Sequence, residues 1–196
     1  RKPKKVPGIY KEKRVKEITT MSLKNKDQEV AIFIDVQNLY HSAKNIYQAR
    51  VNFKEVLKTG VAGRKLIRAF AYVVRTKTGE EKPFFDALTN LGIETRVKDL
   101  QEYYGGLKKA DWDVGMAVDA IKTSPGVDAI VLISGDGDFV PLVEYLQNHG
   151  KRVEVIAFGK STSSRLREAA DEFIDLEESV EKYLLRKPKW PLSLIH

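Results

Sequence analysis

Several oxygen-bearing side chains in this sequence stand where an apolar run ends or a helical pattern begins. Residues 131–139 read VLISGDGDF, an apolar run that empties into Asp136 and Asp138 with one glycine between them. Near the other end of the chain, VAIFI (residues 30–34) runs into Asp35, with Asn38 three positions later. Carboxylates brought this close repel one another, so one must hold a proton or a cation must offset them. Oxygen-only ligands favour Mg²⁺ or Mn²⁺ over zinc. The chain has no cysteine, which removes zinc–thiolate sites, disulfides and thiol nucleophiles from consideration.

A third contributor is offered by KKADWDVGMAVDAI, residues 108–121. Asp113 falls in the first turn of the helix expected there, where a loop from the active edge of a sheet would enter. Asp119 lies nearly two turns further on and about 120° around the helix, so one ion is not reached by both. Asp113 is the preferred ligand and Asp119 a buried hydrogen-bonding or second-shell group. Taken singly, Asp35, Asn38, Asp136 and Asp138 are also good helix N-caps. Capping, however, accounts for only one residue per helix. The glycines on either side of Asp136 suggest a tight turn at positive φ that aims the side chains at one point.

The elements that must position these groups follow from the hydrophobic pattern. Strands are expected over residues 30–34, 65–74, 93–97, 129–134 and 153–158, with a short one at 173–174. Helical patterns lie between them: 38–48, 53–57, 81–91, 113–122, 139–148 and 161–170, the last capped by one of its leading hydroxyl residues, with a final helix over 177–185. Apolar strands alternating with helices define an α/β fold, a three-layer sandwich with a central, mainly parallel sheet. Such sheets bind ligands beyond the carboxyl ends of their strands, which is where Asp35, Asp136 and Asp138 stand.

The chain has 196 residues, 42% hydrophobic and 31% charged, a size suited to one globular domain with extensions. Residues 1–28 hold ten Lys/Arg against three Asp/Glu and so carry the whole formal charge of +7, leaving residues 29–196 balanced at 24 of each sign. The basic character belongs to a leader at 1–28, expected to be flexible, and not to the domain. Residues 179–196 form the end of the last helix and a tail. No apolar stretch approaches a membrane span or a secretory signal, so a cytoplasmic protein without membrane contact is expected. A homodimer is compatible with so small a domain.

Four segments together resemble the LabA-like NYN domains of the PIN-like nuclease superfamily: IFIDVQNLY (32–40), KKADWDVGMAVDAI (108–121), VLISGDGDF (131–139) and VEVIAFGKSTSSRLREAADEFIDL (153–176). The resemblance spans about residues 29–178 in the family's order. It implies a metal-dependent ribonuclease fold in which Asp35, Asn38, Asp113, Asp136 and Asp138 form the catalytic set, with Ser134 beside them. Asp35, Asp113, Asp136 and Asp138 would hold Mg²⁺ or Mn²⁺, and an Asp at position 119 is also part of the pattern. The expected substrate is RNA, single-stranded or structured, cut internally by hydrolysis. Lys108, Lys109, Arg75 and Lys77 are candidate phosphate contacts and Tyr103 and Tyr104 candidate base-stacking rings. His41, His149 and His196 read as surface residues.

Rival readings fit less of the sequence. A PIN-like module that binds RNA or protein without cutting leaves the intact acidic set without a task. A glycosyltransferase using the Asp-Gly-Asp turn leaves Asp35 and Asn38 unexplained. A haloacid-type phosphatase needs an acid where Gln37 stands, and the third glycine of a dinucleotide fingerprint is missing.

Overall fold

Five consecutive buried residues, Val30 to Ile34, make the first strand one that is covered on both faces. The computed structural model describes residues 25–75, 81–102, 108–109 and 111–185. In chain order their elements begin with β1 (Glu29–Asp35), α1 (Val36–Tyr47), β2 (Arg50–Val51), α2 (Phe53–Val61) and β3 (Lys65–Arg75). Next come α3 (Lys82–Asn90), β4 (Glu94–Asp99), β5 (Gln101–Glu102), β6 (Lys108–Lys109), α4 (Asp113–Thr123) and β7 (Ala129–Ile133). The chain continues with α5 (Val140–Asn148), β8 (Arg152–Ala157), α6 (Ser164–Ala169), β9 (Glu172–Asp175), α7 (Val180–Tyr183) and β10 (Leu184–Leu185).

Six of these strands form one sheet in the order β4-β3-β1-β7-β8-β9, and every pairing in it is parallel. Parallel neighbours need crossovers, which the helices supply on both faces. The two-residue alternation of side chains then divides the core. Ile32, Ile34, Val131 and Ile133 face one layer with Leu39, Val56 and Leu88. Ala31, Phe33, Ile130 and Leu132 face the other with Met116, Phe139, Val143 and Leu166. The domain is therefore the expected three-layer α/β sandwich, and its central pair, β1 and β7, is the pair that ends in acids.

One buried ion pair lies inside this frame. Arg64 donates to both oxygens of Glu154 at 2.9 Å, both side chains being fully buried. Arg64 also reaches Gly60 O, Val61 O and Gln28 Oε1, while Arg152 Nε donates to Glu154 Oε1 at 3.0 Å. Satisfying each polar atom offsets the desolvation of the two charges.

The last expected helix, 177–185, is a correction. A 3-10 turn (Leu176–Ser179) leads into the single turn of α7, and the chain then extends so that Leu184 and Leu185 pair antiparallel with Val51 and Arg50. Tertiary partners explain the early end: Asn52 N donates to Tyr183 O at 2.7 Å, and the Tyr183 hydroxyl meets Thr59 Oγ1 at 3.0 Å. Among the described residues no helix is long and apolar enough to cross a membrane.

Replacing Arg64 with methionine leaves Glu154 buried without the cation that donates to both of its oxygens. Such a change is expected to cost about 3 kcal/mol of stability, measured as the shift in urea-unfolding midpoint at constant m-value.

Candidate metal centre

Parallel pairing sets Ile34 beside Ile133, so the residues that follow, Asp35 and Ser134, leave the sheet side by side. Ser134 is wholly buried and donates its hydroxyl to Asp35 Oδ2 at 3.0 Å, while its oxygen accepts from Asp136 N at 3.2 Å. Asp35 Oδ1 accepts from Asn38 N at 3.0 Å and caps α1. Asn38 Oδ1 accepts from Gly135 N at 2.9 Å, which ties the first helix to the second turn. Asp136 Oδ1 accepts from Asp138 N at 3.0 Å and caps the 3-10 turn Gly137–Phe139. Capping and clustering are therefore compatible roles, since the Asp136 cap occupies one oxygen of a carboxylate that has two.

The glycines act differently from the expectation. Neither Gly135 nor Gly137 has positive φ; among the described glycines that conformation belongs to Gly63, Gly92 and Gly150. What the turn needs is space. A Cβ on Gly135 would stand 2.9 Å from Thr162 Oγ1 and 3.1 Å from Ser161 O, and one on Gly137 2.8 Å from Ser163 Oγ. Ser163 N–H closes the contact by donating to Gly135 O at 2.9 Å. This docking delays the helix expected over 161–170, which starts as α6 only at Ser164. Its Ser163 N-cap makes no side-chain cap bond. The hydroxyls of Ser161 and Thr162 donate instead to Ser42 Oγ and Phe158 O, at 2.8 and 2.7 Å.

The third arm is α4, and its entry is pinned by Trp112. The indole N–H donates to Val73 O at 2.9 Å, and the ring meets Tyr72 edge-on with centroids 5.4 Å apart. Gly115 makes room for that ring, because a Cβ there would lie 2.6 Å from Trp112 Cε3. Lys98 donates to Asp111 O at 2.6 Å, its ammonium 4.6 Å from the indole centroid. Sequence reasoning passed over Trp112; the signal available was an aromatic ahead of a helix with a glycine three residues later, in reach of one helical turn.

These arms bring one carboxylate oxygen each of Asp113, Asp136 and Asp138 within 4.8 Å of one another. Asp35, expected as a fourth ligand, lies outside that 4.8 Å group but close enough for its charge to act on Asp113; its Oδ1 accepts from Asn38 N and its Oδ2 from the Ser134 hydroxyl. Burial, above all, raises the Asp35 carboxyl, against the hydrogen bonds from Asn38 and Ser134 that lower it. Asp113 is pushed from 3.8 up to about 6, first by burial and then by the charges of Asp136, Asp35, Asp111 and Asp138. Among the described residues no Arg or Lys pairs with these three carboxylates, and a donor set of three carboxylates without nitrogen or sulfur fits Mg²⁺ or Mn²⁺.

The remaining candidates are dispersed. Asp119 points away from the cluster, accepting from the Tyr72 hydroxyl at 3.0 Å and pairing with Arg96 at 3.3 Å. Arg75 stands at the end of β3 with Nε on Asp99 at 2.8 Å. Lys108 and Lys109 belong to β6, which pairs antiparallel with β5. Lys77, Tyr103, Tyr104 and His196 lie outside the described residues. His41 and His149 are exposed, and His41 is near enough to Asp35 for the two charges to interact.

A six-stranded parallel sheet with acids at the ends of its central strands, joined by an acid from a crossover helix, defines an α/β domain of the PIN-like nuclease superfamily. The chain belongs to the NYN domain family, which matches residues 29–177, and within that family it is LabA-like. It is 27% identical over 168 residues to the low amplitude and bright protein LabA of Synechococcus elongatus, covering 78% of this chain and 86% of that protein. It is likewise 27% identical over 157 residues to protein MJ0482 of Methanocaldococcus jannaschii, where the match covers 78% of this chain but 57% of the relative. The crystal structure of VPA0982 from Vibrio parahaemolyticus superposes with a TM-score of 0.75 at 31% identity, covering 83% of this chain and 99% of that one.

The raised Asp113 carboxyl carries a stability signature. Between 3.8 and about 6 the folded chain keeps a proton that the unfolded chain has lost, so this residue's contribution grows as pH falls through 6 and levels off below 4. Without divalent metal, Asp113→Asn is therefore expected to stabilise the protein at pH 7 and to remove that gain on acidification. Thermal melts of both proteins at pH 7, 6 and 5 measure the difference.

Proposed function

We propose that this domain is an endoribonuclease that hydrolyses RNA phosphodiester bonds with the help of Mg²⁺ or Mn²⁺. The observation that carries the reading is the convergence of Asp113, Asp136 and Asp138 within 4.8 Å in a corner where burial and like charge hold Asp113 at about 6. Membership of the nuclease superfamily supports it.

Asp113, Asp136 and Asp138 would hold the ion. Asp35, whose charge acts on Asp113, adds a fourth carboxylate beside them. A bound divalent ion supplies Lewis acidity, which activates water and offsets the charge developing on the phosphate. Asn38 has its amide oxygen committed to Gly135 N–H, which leaves the amide N–H groups to donate to a phosphate oxygen. Ser134 orients Asp35 by donating to it, a bond that favours the ionised form against the burial that opposes it. The imidazoles have no required part, because hydrolysis at a metal centre does not need a side-chain base. Water is the second substrate, and the products are two RNA fragments.

Asp136→Asn is expected to lower Mn²⁺-dependent cleavage of a labelled RNA by more than about a hundredfold, since even groups behind metal ligands are worth ten- to a hundredfold. Its circular dichroism spectrum should match that of the parent, and chelation by EDTA should silence the parent. A variant that cuts at the parental rate sinks the assignment. A parent that binds RNA but cuts none under any divalent ion points instead to a binding module.

A further inference from the structure

An open cavity of about 480 Å³ lies between the second half of α4 and the strands β3 and β4. Its wall is built on Phe70. The guanidinium carbons of Arg68 and Arg96 lie 4.4 and 5.0 Å from the centroid of that ring. Both are held in place: Glu94 accepts from Arg68 at 2.8 and 2.6 Å, and Asp119, fixed by Tyr72, pairs with Arg96 at 3.3 Å. Their side chains nevertheless remain 43% and 41% exposed. Lys122 and Ile67, both exposed, complete the rim.

Three cations against two carboxylates leave little net charge, so the cavity is a poor trap for a bare anion. It offers two immobilised flat guanidinium groups, an apolar edge and one ammonium. That combination suits an unpaired base, which stacks on guanidinium planes, with its phosphate met by Lys122. Lys122 makes no ion pair among the described residues. The helix that carries Lys122 also carries Asp113, so the cavity and the carboxylates belong to one rigid element. From Asp113 to Lys122 the helix rises about 14 Å, the length of about four stacked nucleotides.

We propose that this cavity is an accessory site for an unpaired nucleotide of the RNA strand whose scissile phosphate lies at the carboxylates. The inference rests on the ribonuclease reading and adds to it a reach: a strand of four or more nucleotides beyond the cut engages both places, whereas a trinucleotide engages one. Asp119 acquires a role on this view, since it fixes the Arg96 plane away from the metal-binding corner.

The test is RNA binding by the Asp136→Asn protein, read by fluorescence anisotropy with a labelled single-stranded 12-mer and a labelled trinucleotide. Adding Arg96→Gln or Lys122→Glu should weaken the 12-mer about tenfold each and leave the trinucleotide unchanged. Lys122 is exposed on the helix, so its variant tests the site without touching the packing around Phe70; a matching melting curve verifies this. Lys122→Ala should also reduce the slope of log K against log salt by about 0.7. Undiminished 12-mer binding by both variants overturns the accessory site while the ribonuclease reading stands. Failure of the Asp136→Asn protein to bind either RNA overturns both.

Discussion

Like charge crowded into a few ångströms is the constraint around which one end of this domain is built. Asp35, Asp136 and Asp138 raise the cost of ionising Asp113, and Asp136 raises that of Asp35. Among the described residues no Arg or Lys pairs with these acids to relieve that cost. The fold fixes them: Ser134 and Asn38 N hold Asp35, Ser134 Oγ and Asp138 N hold Asp136, and Asn38 Oδ1 locks the turn through Gly135. Hydrogen bonds of this kind orient a carboxylate while leaving its charge unneutralised, which is what a cation site requires.

The rigidity of that corner comes from packing at a distance. The loop at 161–163 lies against Gly135 and Gly137 at contact distance, so the turn cannot swing away from the sheet. On the other side, the Trp112 indole is wedged between Gly115, Tyr72 and Val73 O and sets where α4 begins. The glycines at 115, 135 and 137 therefore share one function, the close approach of another group. Glycine inside a helix is worth about 1 kcal/mol less than alanine, and at Gly115 the close contact with the partly buried Trp112 ring offsets that loss.

Much of the architecture was legible because continuous apolar runs and helical patterns are local signals. The strands around 30–34, 65–74, 129–134 and 153–158 and the helices that cross between them needed only their own residues. The failures share a cause. The segment 177–185 has helical propensity, but Leu184 and Leu185 find β2 as a partner and extend. The helix after β8 starts late because Ser163 N–H is taken by Gly135 O, 28 positions back in the chain. Gly135 and Gly137 suggested a backbone conformation when the reason for them was a neighbour. Asp119 was legible as a residue turned away from Asp113, because 100° per residue is a property of any helix; its partners Tyr72 and Arg96 were not.

By itself the sequence singled out the acids at strand ends, the class of ion such oxygens would suit, and the parallel α/β layering, since each depends on residue type or short-range period. The pattern of acids after apolar runs identified Asp35, Asp136 and Asp138, and the family resemblance added that they act as a set. Tertiary structure alone decided that β1 and β7 are neighbours, and with it which oxygens converge. It placed Asp113 with Asp136 and Asp138, and gave the oxygens of Asp35 hydrogen bonds from Asn38 N and Ser134. The reason is physical: a metal-sized gap is set by contacts between segments from 28 to 99 residues apart, and no local pattern encodes a distance across the sheet.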